Sequence, residues 1–328
     1  MADPTLLETG ASQSVETTPT LKSKSPTQIA LERLRKDKIA IICAIVVLFF
    51  VLIAIFADVI TAVTHTDPYK LNQDLIDEYG FPTVNPSAEH PFGLEPRLGR
   101  DLFARWIHGA RPSLIVAVSA SVIATVIGVA MGMLAGFLGG WVDRAISWVI
   151  DLLLSLPLLL VVVALAPVIE TRFPSDGAVI SKVRLWTLVG IFALFGWTQL
   201  ARLIRAEVLS LREREFIQAA RAIGVPTRQI LFRELLPNLT GQIIVFLSLA
   251  IPSYIASEAG LSYLGIGLTE PTPSWGRTIN AAIGYYETYP IYFWQPALAI
   301  LVLVLALNLL GDAIRDAFDP KTRRSAAG

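Results

Sequence analysis

Cysteine occurs once in these 328 residues, at Cys43 inside an apolar run, so neither a disulfide framework nor a cysteine metal site is available. Histidine occurs three times (His65, His90, His108), too scattered to argue for a metal centre. Charge is scarce as well. Only 16% of the residues are Asp, Glu, Lys or Arg, where a soluble domain carries about a quarter. The 27 basic and 27 acidic residues cancel, so nothing points to a nucleic-acid partner. No G-x-x-x-x-G-K-[ST] phosphate loop is present; Gly265, Gly267 and the glycines between 128 and 140 lack the following lysine. This chain is therefore not expected to bind ATP. No Ser/His/Asp or Cys/His nucleophile set stands out either, and enzyme chemistry is not expected.

What is abundant is apolar surface: 54% of the residues are hydrophobic and the mean hydropathy is +0.59. A helix needs about 20 apolar residues to cross a bilayer. Six runs qualify: Ile39–Ile60, Leu114–Gly139, Ile146–Ile169, Leu185–Leu209, Leu239–Ser262 and Ile291–Leu310. The expectation is an all-α integral membrane protein with six transmembrane helices. Pro157 and Pro252 fall within the third and fifth runs and predict kinks there. Residues 1–28, rich in Thr, Ser and Pro, read as a disordered tail. The first apolar run starts too far from the N-terminus for an ordinary signal peptide and lacks an A-x-A site, so it reads as a retained anchor.

Orientation follows from Lys and Arg. With the N-terminus inside, 18 of the 27 basic residues lie on cytoplasmic segments, as the positive-inside rule requires. Both termini are then cytoplasmic, and the segment from 63 to 110 faces outward. In the second run Ala120, Ala124, Gly128, Gly132, Gly136 and Gly140 recur every four residues. Small residues at that spacing let helix backbones approach closely in lipid. Because four residues overshoot a turn by about 40°, the stripe is expected to wind around the helix and to serve more than one neighbour.

Between the fourth and fifth runs lies a charged, alanine-rich island, residues 213–237, reading EREFIQAARAIGVPTRQILFRELLP. It must lie outside the lipid, yet it is patterned for helix. Glu215 to Ile223 predicts a short helix with Phe216, Ala219, Ala220 and Ile223 on one apolar face. Gly224 ends it, Pro226 and Thr227 open a second short helix, and Leu236-Pro237 begins the return to the membrane. Helix, glycine turn and helix make a compact knob rather than a floppy loop.

The island resembles the cytoplasmic coupling segment of bacterial ABC importer permeases. Further matches are LERLRKDKIAIICAIVVLFF (31–50), HPFG (90–93), GRD (99–101), GARPSL (109–114), GGWVDRAI (139–146), LSYLGIGLTEPTPSWG (261–276) and NLLGDAIRDAFDP (308–320). Over Leu31 to Lys321 the chain is similar to the C-type permease subunits of dipeptide and oligopeptide ABC importers. Gln218 stands where that family commonly has Glu, and Glu234 where an aliphatic residue is often found. Five residues, LEPRL, separate HPFG from GRD where four are usual.

The resemblance implies a type I importer permease that pairs with a homologous second permease. Two ABC ATPase subunits below would bind ATP and magnesium, and an extracytoplasmic peptide-binding protein would deliver cargo; this chain would carry no cofactor or metal of its own. It also implies that Glu215, Phe216, Gln218, Ala219, Ala220, Arg221, Gly224, Leu236 and Pro237 form the ATPase-coupling site. Cargo stays open among peptides, nickel chelates, glutathione, oligosaccharides and antimicrobial peptides. A channel or secondary transporter is the rival class, but no filter-like motif and no internal repeat is found.

Ionisable and polar groups within spans are costly and often functional. Asp151, Trp197, Gln199, Glu258 and Asn308 are the pathway candidates, with inter-helix hydrogen bonding as the alternative reading for each. Arg97, Arg100, Asp101 and Arg105 in the outer loop are candidates for docking the binding protein through charge pairs, against a plain solvated face. The expected organisation is a tail (1–28), a basic segment with the first span (29–62), the outer loop (63–110), a five-span core (111–320) containing the coupling segment, and a C-terminal tail (321–328).

Overall fold

The computed structural model describes residues 26–173 and 176–318. Most of the expected first tail, and all of the second, lie outside them. Helix α1 (Pro26–Leu34) leads into α2 (Lys38–Ile55), which Asp37 caps by accepting from the Ile39 and Ala40 amides at 2.8 and 3.2 Å. The expected first span breaks at Phe56, and the chain goes on as α3 (Ala57–Thr64). The outer loop follows, and then α4 (Leu102–Leu138). This helix begins twelve residues before the apolar run does, because Asp101 caps it and Leu102, Ala104, Ile107 and Ala110 are all buried.

Gly139 (φ 66°) and Gly140 (φ 59°) turn the chain directly into α5 (Gly140–Ser155). The third expected span is one helix only in length. It is bent by 85° between α5 and α6 (Leu158–Glu170). Pro157 has no N–H to continue the ladder and its ring clashes with the preceding turn, so a full break replaces the expected kink. Helix α7 (Gly177–Leu211), capped by Asp176, descends to the island, where α8 (Glu215–Ala222) lies. The chain returns through a short turn, α9 (Thr227–Gln229), a π-helical stretch (Ile230–Leu235) and α10 (Leu236–Tyr263). Pro252 sits within α10 without interrupting it. A short α11 (Trp275–Ala282) precedes α12 (Pro290–Phe318). Five of these helices are long and apolar enough to cross a membrane, or six spans if the bent α5–α6 pair counts as one.

The core is built on α4 against α7, which run parallel. A Cβ added at Gly128 would lie 2.9 Å from the Trp197 carbonyl oxygen and from Leu200 Cβ. At Gly132 it would meet Ala201 O and Ile204 Cβ at 2.7 Å, and at Gly136 it would meet Arg205 O at 2.8 Å. The stripe's glycines at 128, 132 and 136 all face α7, because that helix presents its own four-residue register (197, 201, 205) and winds with it, while Ala124 clusters with Ile150 of α5 as well as with α7. Gly140 lies outside the stripe, in open space at the turn.

Replacing Gly132 by Ile forces branched carbons into backbone, and overpacking of this kind costs about 1–3 kcal/mol or more. Gly132→Ile is expected to lower the thermal stability of the detergent-solubilised protein or to abolish its accumulation in the membrane. Gly190→Ala, on the facing helix α7 but with nothing within 4 Å, is expected to leave both unchanged; equal effects of the two would refute the packing assignment.

Candidate functional site: a cytoplasmic knob, a polar mid-section and a buried outer ion cluster

The knob is held by one residue that the apolar-face reading missed. Ile217 is fully buried and packs with Val208, Ile230, Leu235 and Leu239. Phe216 is 45% and Ile223 80% exposed, and Ala219 is exposed too. The expected apolar face of α8 is thus not its packing face, and of its four residues only Ala220 leans on the core. The signal in the sequence is that Ile217 is the one large aliphatic side chain within Glu215–Ala222.

Past Ile223, the Val225 amide donates to Ala220 O and the Gly224 amide to Arg221 O, each at 3.0 Å. These are the two bonds of a Schellman cap, and Gly224 takes the left-handed φ of 78° that such a cap needs. The Arg221 guanidinium sits 4.2 Å from the centre of the Phe137 ring at the end of α4. Helical structure is unbroken from Thr227 to Tyr263, so Leu236-Pro237 lies inside one continuous run. The π-helical stretch brings Ile230, Leu231 and Leu235 to bear on α8 together. Glu215, Gln218, Arg221, Gly224 and Pro237 are all exposed, and Leu236 is half-buried. Gln218 Nε2 donates to the Glu213 carbonyl, at 3.3 Å.

The mid-section candidates do not converge on one site. Asp151 on α5 pairs with Arg202 on α7, and both are more than half exposed. Below them Arg205 donates to Asp143, with a second contact at 2.8 Å, again joining α7 to α5. Trp197 is buried with Ala124, Ile150 and Ala201. Gln199 is exposed. Asn308 is exposed and donates to the Val304 carbonyl one turn back. Glu258 is completely buried and accepts from Ser113 Oγ at 2.5 Å, Ser262 Oγ at 2.7 Å and Ser274 Oγ at 3.1 Å. It thereby ties α10 to α4 and to the loop before α11.

The outer loop encloses most of the docking candidates. Arg105 is 2% and Asp101 1% exposed, and the Arg100 side chain only 11%; of the four candidates Arg97 is the exposed one. Arg100 clasps Glu95 at 2.6 and 3.0 Å and reaches Glu270 at 2.9 Å. Arg105 meets Glu270 at 2.8 Å, and Tyr292 Oη donates to Glu95 at 2.6 Å. His90 Nδ1 lies 2.6 Å from Asp101 Oδ2, while Asp101 Oδ1 caps α4. The charges expected to face a partner are instead spent on locking the loop onto α4, α12 and the Glu270 loop. Their acidic partner Glu270 lies 170 residues beyond Arg100 in sequence, which is why a local reading missed it.

Burial alone would depress the Arg100 guanidinium, but Glu95 and Glu270 outweigh it and hold it above the usual arginine value. Burial pushes the Glu270 carboxyl up, but Arg105 and Arg100 outweigh this and hold it below its ordinary value. A depressed carboxylate stabilises the fold above its unfolded pKa, and that contribution is lost as pH falls through the folded value. The outer cluster is therefore expected to loosen below about pH 4.5. Thermal unfolding of the solubilised protein from pH 7 to 3.5 should show an acid limb that Glu270→Gln flattens. An unchanged limb would contradict the role given to Glu270.

Residues 128–324 match the family of binding-protein-dependent transport system inner membrane components. The chain belongs to that family. Residues 25–79 also match the N-terminal transmembrane domain of oligopeptide transport permease C. The permease is 33% identical to the oligopeptide transport system permease OppC of Bacillus subtilis, over 92% of each chain. It is 35% identical to the dipeptide transport system permease DppC of Alkalihalophilus pseudofirmus, over 91% of each. It is 39% identical to the glutathione transport system permease GsiD of Salmonella paratyphi A, over 92% of each. Among solved structures, an inward-facing form of the MetNI methionine ABC transporter shares the fold, with a TM-score of 0.51 at 19% identity. The match covers 66% of this chain and 96% of that one. The permease is thus an inner-membrane transport component of the ABC importer type.

Proposed function

We propose that the permease forms half of the membrane pathway of an importer for short peptides, paired with a homologous second permease. Two ABC ATPases would bind ATP and magnesium beneath it, and an extracytoplasmic binding protein would supply the cargo; this chain performs no catalysis. The observation that carries the coupling role is the build of α8. Its anchor Ile217 is fully buried, while Phe216, Ala219 and Ile223 point away from the chain on a capped, inflexible mount. An apolar face left open on a rigid cytoplasmic knob is suited to docking into another protein and carrying its movement to α7 and α10. The peptide class rests on the similarity to oligopeptide and dipeptide permeases along nearly the full length. The 39% identity to a glutathione permease favours a second reading, glutathione, itself a short peptide bearing free carboxylates.

For the pathway, the Asp151–Arg202 pair is the strongest candidate, since both side chains stay accessible on the α5–α7 face. Paired opposite charges there would suit the termini of a zwitterionic peptide. Outside, exposed Arg97 is the remaining docking candidate.

The test of coupling is Gly224→Val. A β-branched residue at φ 78° costs roughly 1–3 kcal/mol of strain, enough to undo the cap while leaving the membrane helices intact. The variant is expected to insert normally but to lose ATPase subunits on purification, or to lose stimulation of ATP hydrolysis by the binding protein. Undiminished coupled uptake would refute the assignment of α8.

A further inference from the structure

Between α2, α12 and the outer end of α4 lies a groove of about 650 Å³ with almost no polar lining. Ile45 and Phe49 form one wall, Leu298 and Val302 another, and Trp106 closes the top. One side chain does not fit this setting. Gln295 lines the groove and is only 8% exposed, yet neither its Nε2 nor its Oε1 has a hydrogen-bond partner among the described residues. Trp106 cannot serve it, because the indole N–H already donates to the Gln295 backbone carbonyl at 3.1 Å. An orphaned amide in apolar surroundings is costly and implies a ligand that supplies polar atoms at that level and apolar bulk below it.

The depth of Gln295 identifies such a ligand. Helix α12 has 29 residues and is therefore about 43 Å long at 1.5 Å per residue, against a hydrocarbon core of about 30 Å. Centred in the bilayer, it overhangs by roughly 6–7 Å at each end. Gln295 lies five residues, about 7.5 Å, from its outer end, at the hydrocarbon boundary. From there the groove follows α12 down to Val302, about 10 Å further in. Over that length the lining is apolar apart from Gln295, which matches a ligand with one polar level and apolar bulk beneath it.

We propose that this groove is a binding site for one diacyl phospholipid of the outer leaflet. The acyl chains fill the space between α2 and α12. Gln295 Nε2 donates to an ester carbonyl, and Oε1 accepts from an N–H or O–H of the headgroup above. The lipid would fasten the peripheral α2 to the core, a role separate from cargo or ATPase coupling.

The test is native mass spectrometry of the whole transporter complex released from vesicles of phosphatidylethanolamine and phosphatidylglycerol. The wild type is expected to retain one more phospholipid than Val302→Trp, which fills the groove from a position already 44% exposed. Gln295→Leu is expected to lower that occupancy roughly tenfold, the worth of one hydrogen bond in an apolar site. Diether phospholipids with the same headgroups, which lack the carbonyl, should bring the wild type down to the Gln295→Leu level. Equal lipid retention by wild type and Val302→Trp would overturn the proposal. So would a benzophenone side chain at Leu298 that cross-links to a polypeptide in the assembled complex rather than to lipid.

Discussion

The close approach of α4 to α7 is the contact on which the rest of the structure depends. In lipid there is no hydrophobic gain from bringing two apolar helices together, so association rests on backbone proximity and fit. Gly128, Gly132 and Gly136 supply that proximity, placing α4 directly against the carbonyls of Trp197, Ala201 and Arg205. The register so fixed sets where Ile204 and Val208 lie, and those two side chains form the floor beneath Ile217, Ile230 and Leu235. Arg221 over Phe137 and Arg212 donating to the Gly136 carbonyl at 3.2 Å join the knob to the same helix end. At the other end, α4 carries Asp101 and Arg105 into the outer ion cluster. One helix pair therefore runs from the outer loop to the cytoplasmic knob.

Charge is used sparingly and mostly internally. Ionised groups near the bilayer are costly unless paired, and several here have partners on a different element. Arg111 bonds the Ala54 carbonyl at 2.9 Å and Asp58 at 2.8 Å, fixing α2 and α3 to α4. Arg205 and Arg202 bind α5 to α7. Arg100 and Arg105 bind the outer loop to a carboxylate far along the chain. Of the candidate site residues, those left exposed include Arg97 outside, Asp151 (paired with Arg202) between, and the outward face of α8 below.

The membrane helices were legible because an apolar run long enough to span a bilayer has little other use in a folded chain. Their ends were not. The first three turns of α4 hold Arg105, His108 and Arg111, which lower the local hydropathy, and only their distant partners reveal that these turns are buried. Pro157 announced a disturbance, but its size depends on the packing of α6 along α7, which no local pattern encodes. The existence of the knob and its glycine turn were readable from helix formers and Gly224. Its packing face was displaced by one residue, from Phe216 to Ile217, because the hydrophobic period does not say which apolar side chains find neighbours; the π-helical stretch supplies those neighbours. Glu258 stood out as a charge in a span, and three serines from separate segments make it a structural junction.

The central claim is that α8 moves as one body with the membrane helices that carry it. The direct measurement is the distance between spin labels at Ala222, exposed on α8, and Val126, exposed on α4, with Cys43 replaced, in the assembled transporter with and without ATP. The account predicts one narrow distance distribution that does not shift between the two states. A distribution that broadens, or a maximum that moves on adding ATP, would mean that the knob swings on a flexible tether and would contradict it.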